Sequence, residues 1–235
     1  MATVTEPTGP PAEVLELHNG DRMTQQEFHR IYARMRRSVR AELIGGIVYL
    51  ASPLKVRHGT NHNFLGVLFG IFAGHTPGVE CGDNTTIILG EDDEPQPDLY
   101  LRVLPEYGGR SRTTADDYVE GAPELIAEVA HSSKAIDLHA KRDDYARHGV
   151  LEYLVLNAHD RRLHWFDLRA GQELVPDADG VYRVRTFPGL WIHGEALLDR
   201  DFQQMMATLN AGLATPEHAA FVSRLASARG GASGD

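Results

Sequence analysis

Three side chains in this sequence have the types and the order that phosphate or metal chemistry uses. Asp98 stands in "EPQPDLYL" (94–101), where a proline and then an aspartate open an apolar run although strands disfavour both residues. Glu128 stands in "PELIAEVA" (123–130), directly after Leu125-Ile126-Ala127, which reads as a central, largely buried strand. An acid there is expensive unless it is paired or metal-bound. Adjacent strand ends would bring Asp98 and Glu128 together, and two carboxylates so placed make a site for a hard cation, magnesium or manganese. Further on, Asp137, Lys141 and Tyr145 recur at i, i+4 and i+8 and share one helix face.

Each residue alone has a plainer explanation. Pro-Asp is a common turn dipeptide, a glutamate at a strand edge can sit in water, and a charged helix face is more often solvated than functional. Specificity comes from the order: Pro-Asp, then Glu on an apolar strand, then a lysine-bearing helix. The histidines offer a rival. His58 and His62 lie four apart at the start of a predicted helix, a spacing that can grip zinc, and His131 follows the Glu128 strand. With twelve histidines such spacings arise by chance, and no HExxH glutamate lies between them, so His58 is expected instead near the pocket mouth, against a phosphate or a carboxylate.

The elements that must position these residues can be read in order. Thr24-x-x-Glu27 is a capping box opening "TQQEFHRIYARMRRSV", where Phe28, Ile31, Tyr32 and Met35 fall at helical spacing. "AELIGGIVYLAS" predicts a hairpin around Gly45-Gly46. A helix follows over about 60–73, then strands over 84–89, 98–103 and 124–130. "AIDLHAKRDDYARHG" reads as a helix ended by Gly149, and "EYLVLNA" and "RLHWFDLR" as a further strand pair. The sum is a mixed α/β sheet covered by helices, with a later antiparallel meander.

Composition bounds the rest. At 235 residues, 42% hydrophobic and 24% charged, the chain can bury one core, expected over 14–227, with flexible segments at 1–13 and 228–235. A single cysteine, Cys81, excludes an internal disulfide and a Cys-based zinc site, fits a reducing compartment, and reads as a small core residue. With no secretory signal and no apolar run near membrane-span length, a cytoplasmic protein without a membrane partner is expected. A formal charge of −10 does not invite nucleic acid, so DNA or RNA binding needs a local basic patch or a metal bridging to phosphate.

The same residues resemble the Uma-two family of bacterial proteins, within the restriction-endonuclease-like PD-(D/E)XK nuclease superfamily. The matching stretches are "AELIGGIVYLASP" with Glu42, His58 shortly after, "QPDLYL" with Asp98, "PELIAEVAHSS" with Glu128, and "DLHAKRDDYARHGVLEYLVL" with Lys141, Tyr145, Gly149 and Tyr153. The resemblance spans roughly residues 24–195 and is densest from Pro123 to Leu156. It implies a restriction-endonuclease-like central sheet flanked by helices, and DNA phosphodiester hydrolysis with magnesium or manganese held by Asp98 and Glu128. The superfamily's lysine position, two residues after the second acid, is Ala130 here, and the Uma-two pattern moves that lysine to the next helix, which implies Lys141 as the catalytic lysine. His131-Ser132 and Asn157 depart from the family's usual residues. Glu42 is implied as a third carboxylate on the metal or its waters, with His58 and Tyr145 in support. Lys141→Ala is expected to remove cleavage and leave folding nearly intact. By analogy with nucleases of this fold the chain is expected to form a homodimer away from the acid pair. The alternatives are an inactive member of the fold serving as a binding or assembly scaffold, and a zinc hydrolase built on the histidines.

Overall fold

The computed structural model describes residues 16–36, 39–130 and 136–231, leaving aside the side chains of Ile136 and Asp137. Helix α1 (Gln25–Tyr32) starts at the capping box: the Glu27 amide donates to the Thr24 hydroxyl and the Thr24 amide donates to the Glu27 carboxylate. It stops well short of Val39. Past Tyr32 the sequence is rich in arginine, and Arg34 follows Arg30 at i, i+4, a like-charge pair that disfavours further helix. Strands β1 (Ala41–Ile44) and β2 (Ile47–Leu50) form the expected hairpin, with Gly45 and Gly46 both at positive φ, as a two-residue primed turn requires. Phe28 and Ile31 of α1 pack on Leu43 and Val48 of the hairpin.

Helix α2 (Val56–Gly74) is longer than the sequence predicts and buries Leu65, Leu68, Phe69 and Phe72. Next come β3 (Val79–Asp83), β4 (Ile87–Ile88) and β5 (Leu99–Val103). The strand expected over 84–89 shrinks to β4, because Asn84 turns to positive φ and breaks the extended run. Short strands β6 (Arg112–Thr113) and β7 (Val119–Glu120) join β4 in a small side sheet, and β8 (Leu125–Glu128) returns to the main one. A π-helical turn (Ile136–Ala140) leads into α3 (Lys141–Arg147), which gives way to Gly149 at positive φ.

Strands β9 (Glu152–Asn157), β10 (Arg162–Asp167) and β11 (Gln172–Leu174) are the predicted antiparallel meander, extended by one strand. A second hairpin of β12 (Val181–Arg183) and β13 (Trp191–His193) precedes α4 (Gly194–Asp199), α5 (Phe202–Leu213) and α6 (Pro216–Gly231). Helix α6 therefore takes in residues 228–231 of the tail that was expected to fray.

The main sheet runs β11-β10-β9-β8-β5-β3, and its one parallel pair is β8 with β9. A parallel pair needs a crossover, and here the crossover carries α3 past the sheet. Side chains alternate across the central strands. Leu99, Leu101, Leu125, Ala127, Leu154 and Leu156 share one core with α2, whereas Tyr100, Ile126, Tyr153 and Val155 share the other with Tyr145 of α3. Burial on both faces explains why these strands read as continuous apolar runs. Cys81 packs, partly buried, against the first core. Among the described residues no helix is long and apolar enough to cross a membrane.

Candidate active site

Strand alternation and register place the two acids. Glu128 has the parity of Ile126 and so belongs to the face that carries α3, where Lys141 and Tyr145 reach it, whereas Asp98, just before β5, is met by His58 and His62 of α2. The antiparallel register pairs Leu99 with Ala127, and one step further sets Asp98 opposite Glu128. The Val129 amide donates to Asp98 Oδ2 at 2.7 Å, and His58 Nε2 lies 3.2 Å from the same oxygen. Asp98 Oδ1 has no hydrogen-bond partner among the described residues. Burial pushes the Asp98 carboxyl up, but the His58 hydrogen bond and charge, the Val129 amide and His62 outweigh it and hold the group below its ordinary value.

The histidines serve Asp98. A carbonyl can only accept, so His62 Nε2 donates to the Asp98 carbonyl oxygen at 2.9 Å, and it also lies 3.3 Å from Asp83 Oδ1. The two imidazoles stack with centroids 6.0 Å apart. Both Nε2 atoms are thus engaged in holding Asp98. His58 does contact a carboxylate, as expected, but from a buried position instead of the pocket mouth, and its Nδ1 is buried with no partner. His131 lies outside the described residues.

Lys141 joins the other two acids. Its Nζ lies 2.8 Å from Glu128 Oε1 and 3.1 and 3.0 Å from Glu42 Oε1 and Oε2. The Tyr145 hydroxyl donates to Glu128 Oε1 at 3.2 Å, and the Gln96 amide donates to Glu42 Oε1 at 2.7 Å. The Lys141 side chain is only 6% exposed, so the solvated-face reading of this helix fails. Its placement follows from the local chain path: the π-helical turn ends at Ala140, and Lys141 and Tyr145, one α-turn apart, both reach Glu128. The backbone of Asp137 lies within that π turn.

The donor set fits a divalent hard cation. Glu42 and Glu128 share the Lys141 ammonium, while Asp98, which the register of β5 with β8 sets across from Glu128, is held by His58 and the Val129 amide. Asp98 also offers an oxygen with no hydrogen bond to lose.

A second carboxylate cluster escaped the sequence reading. Asp93, fully buried, accepts from the Gly45 amide at 2.7 Å, from Arg147 Nη2 at 2.6 Å and from His148 Nε2 at 2.7 Å. Asp92, Asp93 and His148 bring their ligand atoms within 4.8 Å of one another, a spacing that could hold a metal ion, and Arg147 beside them reaches Asp144 at 3.0 Å and Asp92 at 3.6 Å as well. Asp93 ties the β1–β2 turn to the end of α3 and so fixes Glu42 against Lys141. Burial, opposed and outweighed by these donors, leaves the Asp93 carboxyl below its ordinary value, while burial and the Asp93 charge push Asp144 up to about 6. The signal was present in "GEDDEP" (90–95): four consecutive acids before a proline cannot all be tolerated at close range unless some find internal donors.

A mixed sheet flanked by helices, with an acid at the end of each of two central strands and a lysine on the following helix, is the restriction-endonuclease-like fold. The crystal structure of a "putative nuclease belonging to DUF820" from Anabaena variabilis ATCC 29413 has the same fold, with a TM-score of 0.59 over 75% of this chain and 98% of that chain at 13% identity. The chain belongs to the Uma2 family, described as "Putative restriction endonuclease", whose model matches residues 25–198. No curated protein matches the sequence.

Proposed function

We propose that the protein is a metal-dependent endonuclease that hydrolyses phosphodiester bonds in DNA. The observation that carries this reading is the buried ammonium of Lys141 between Glu128 and Glu42, next to the strand position where the register sets Asp98 across from Glu128. Asp98 and Glu128 would hold magnesium or manganese, which when bound supplies Lewis-acid stabilisation of the phosphate and a more acidic water. Lys141 orients the attacking water and offsets charge that develops on the phosphate. Glu42 accepts hydrogen bonds from the metal's waters, Tyr145 fixes the Glu128 carboxylate, and His58 fixes Asp98. A homodimer belongs to this reading, since cutting two strands with one site per chain calls for two chains.

The scaffold alternative has one observation in its favour: Lys141 already shares two carboxylates, so part of the cluster is neutralised without a cation. Manganese calorimetry joined to plasmid cleavage separates the readings. The parent and Asp92→Asn are expected to bind manganese alike, and Asp98→Ala and Glu128→Ala to lose binding and cleavage together. Equal binding by those two alanine variants places the cation elsewhere. A parent that binds manganese but cuts neither DNA nor RNA leaves the scaffold reading standing.

A further inference from the structure

An acidic protein that acts on a polyanion needs a place where the field changes sign, and the charge along this chain is unevenly spread. Residues 28–79 hold seven arginines and lysines and one acid, Glu42, in a chain whose formal charge is −10. Arg40, Lys55 and Arg57 within that span are exposed, and none is in an ion pair among the described residues, whereas Arg102, Arg147 and Arg183 each hold carboxylates.

These three cations stand beside the acid cluster. The Arg40 guanidinium donates to Asn84 Oδ1 at 2.7 Å, and the Asn84 amide donates to the Asp98 carbonyl at 3.1 Å. The Ala51 amide donates to the Arg40 carbonyl at 2.9 Å, which draws the exposed segment 51–57 alongside. Lys55 is the N-cap of α2, Arg57 sits in its first turn, and the next residue is His58. That helix end has no acid in its first turn and no side-chain cap. Cations at the positive end of a helix dipole are locally unfavourable, and a sequence keeps such a misfit where an anion is to be received. Leu54 and Val56, 61% and 88% exposed, alternate with the two cations. Unpaired charge interleaved with apolar tips matches a strand of nucleic acid, whose phosphates meet the cations and whose sugars and bases meet the apolar groups.

We propose that Arg40, Lys55 and Arg57, with Leu54 and Val56 between them, form the rim that seats the substrate's phosphate backbone and leads the scissile phosphate to Asp98 and Glu128. The assignment rests on the nuclease reading and supplies the basic patch that the net charge demands. The test is anisotropy of a labelled DNA duplex with the full chain in calcium, between about 50 and 200 mM salt, alongside plasmid cleavage in manganese. Lys55→Glu/Arg57→Glu is expected to bind at least about tenfold more weakly and to lower the salt slope by about 2, since each phosphate contact contributes about 0.9. Arg40→Gln should lower the slope by about 1. Arg224→Glu on α6, away from the rim, should bind as the parent does. If the parent binds and cuts DNA and the rim variants match it in affinity and slope, the rim is wrong and the nuclease reading stands. If the parent binds through the rim but never cuts, the rim holds and the nuclease reading falls. A parent that neither binds nor cuts overturns both.

Discussion

The ammonium of Lys141 lies 2.8 Å from Oε1 of Glu128, and both side chains are withdrawn from water. Removing one partner of a buried pair leaves an uncompensated charge, at a typical cost of about 3–5 kcal/mol. Lys141→Ala, expected from the sequence to remove cleavage and leave folding nearly intact, should therefore cost stability as well, because Glu128 and Glu42 would face each other with their shared counterion gone. The variant is expected to lose about 10²–10³ in cleavage rate and about 3 kcal/mol in urea unfolding. Lys141→Met combined with Glu128→Gln restores most of the stability and none of the activity. If Lys141→Ala keeps both parental stability and parental rate, the ammonium is neither a structural counterion nor a catalytic group.

Asp93 tests how the site is held from behind. Asp93→Ala leaves the Gly45 amide and His148 without their acceptor, while the half-exposed Arg147 keeps Asp144 at 3.0 Å. The expected loss is about 2 kcal/mol in urea unfolding, mostly from the amide and the imidazole. Cleavage should fall with it, because the β1–β2 turn no longer holds Glu42 against Lys141. Asp93→Asn keeps an oxygen for the Gly45 amide and is expected to recover about half of the stability. Undiminished stability in Asp93→Ala would show that other contacts fix the hairpin.

What the sequence disclosed followed from strong local signals. The capping box at Thr24, the Gly45-Gly46 turn and the apolar runs of β5, β8 and β9 each have one conformational solution, and the structure has it. The register of β5 with β8, carried one step past Leu99 and Ala127, puts Asp98 across from Glu128. Less legible were features fixed by tertiary partners. The edge strand β3 is short and polar, so nothing in "VECGD" marks it until β5 pairs with it. The depth of Lys141 depends on a π turn that helical spacing does not announce. The Asp93 hub requires donors from two elements more than forty residues away in sequence, Gly45 and Arg147.

Asp144 gives the cluster behind the site a pH dependence whose sign can be worked out. Burial and the neighbouring Asp93 charge raise its carboxyl from the ordinary 3.8 to about 6, against the opposing charge of Arg147. A raised acid binds its proton more tightly in the folded state, so its contribution to stability is complete below pH 3.8 and is lost as pH rises through about 6. Asp93 and Asp98 shift the other way, so their contributions are present above the ordinary aspartate range and disappear in acid. Asp144→Asn keeps the shape and an oxygen for Arg147, which lies 3.0 Å from Asp144 Oδ1, while removing the charge that Asp93 opposes. The variant is expected to exceed the parent by about 1 kcal/mol at about pH 8, a figure reduced for the solvent and for Arg147, and to match it near pH 4. Thermal unfolding midpoints measured across that range decide the matter. A gap between variant and parent that stays constant with pH would mean that Asp144 titrates as an ordinary surface acid.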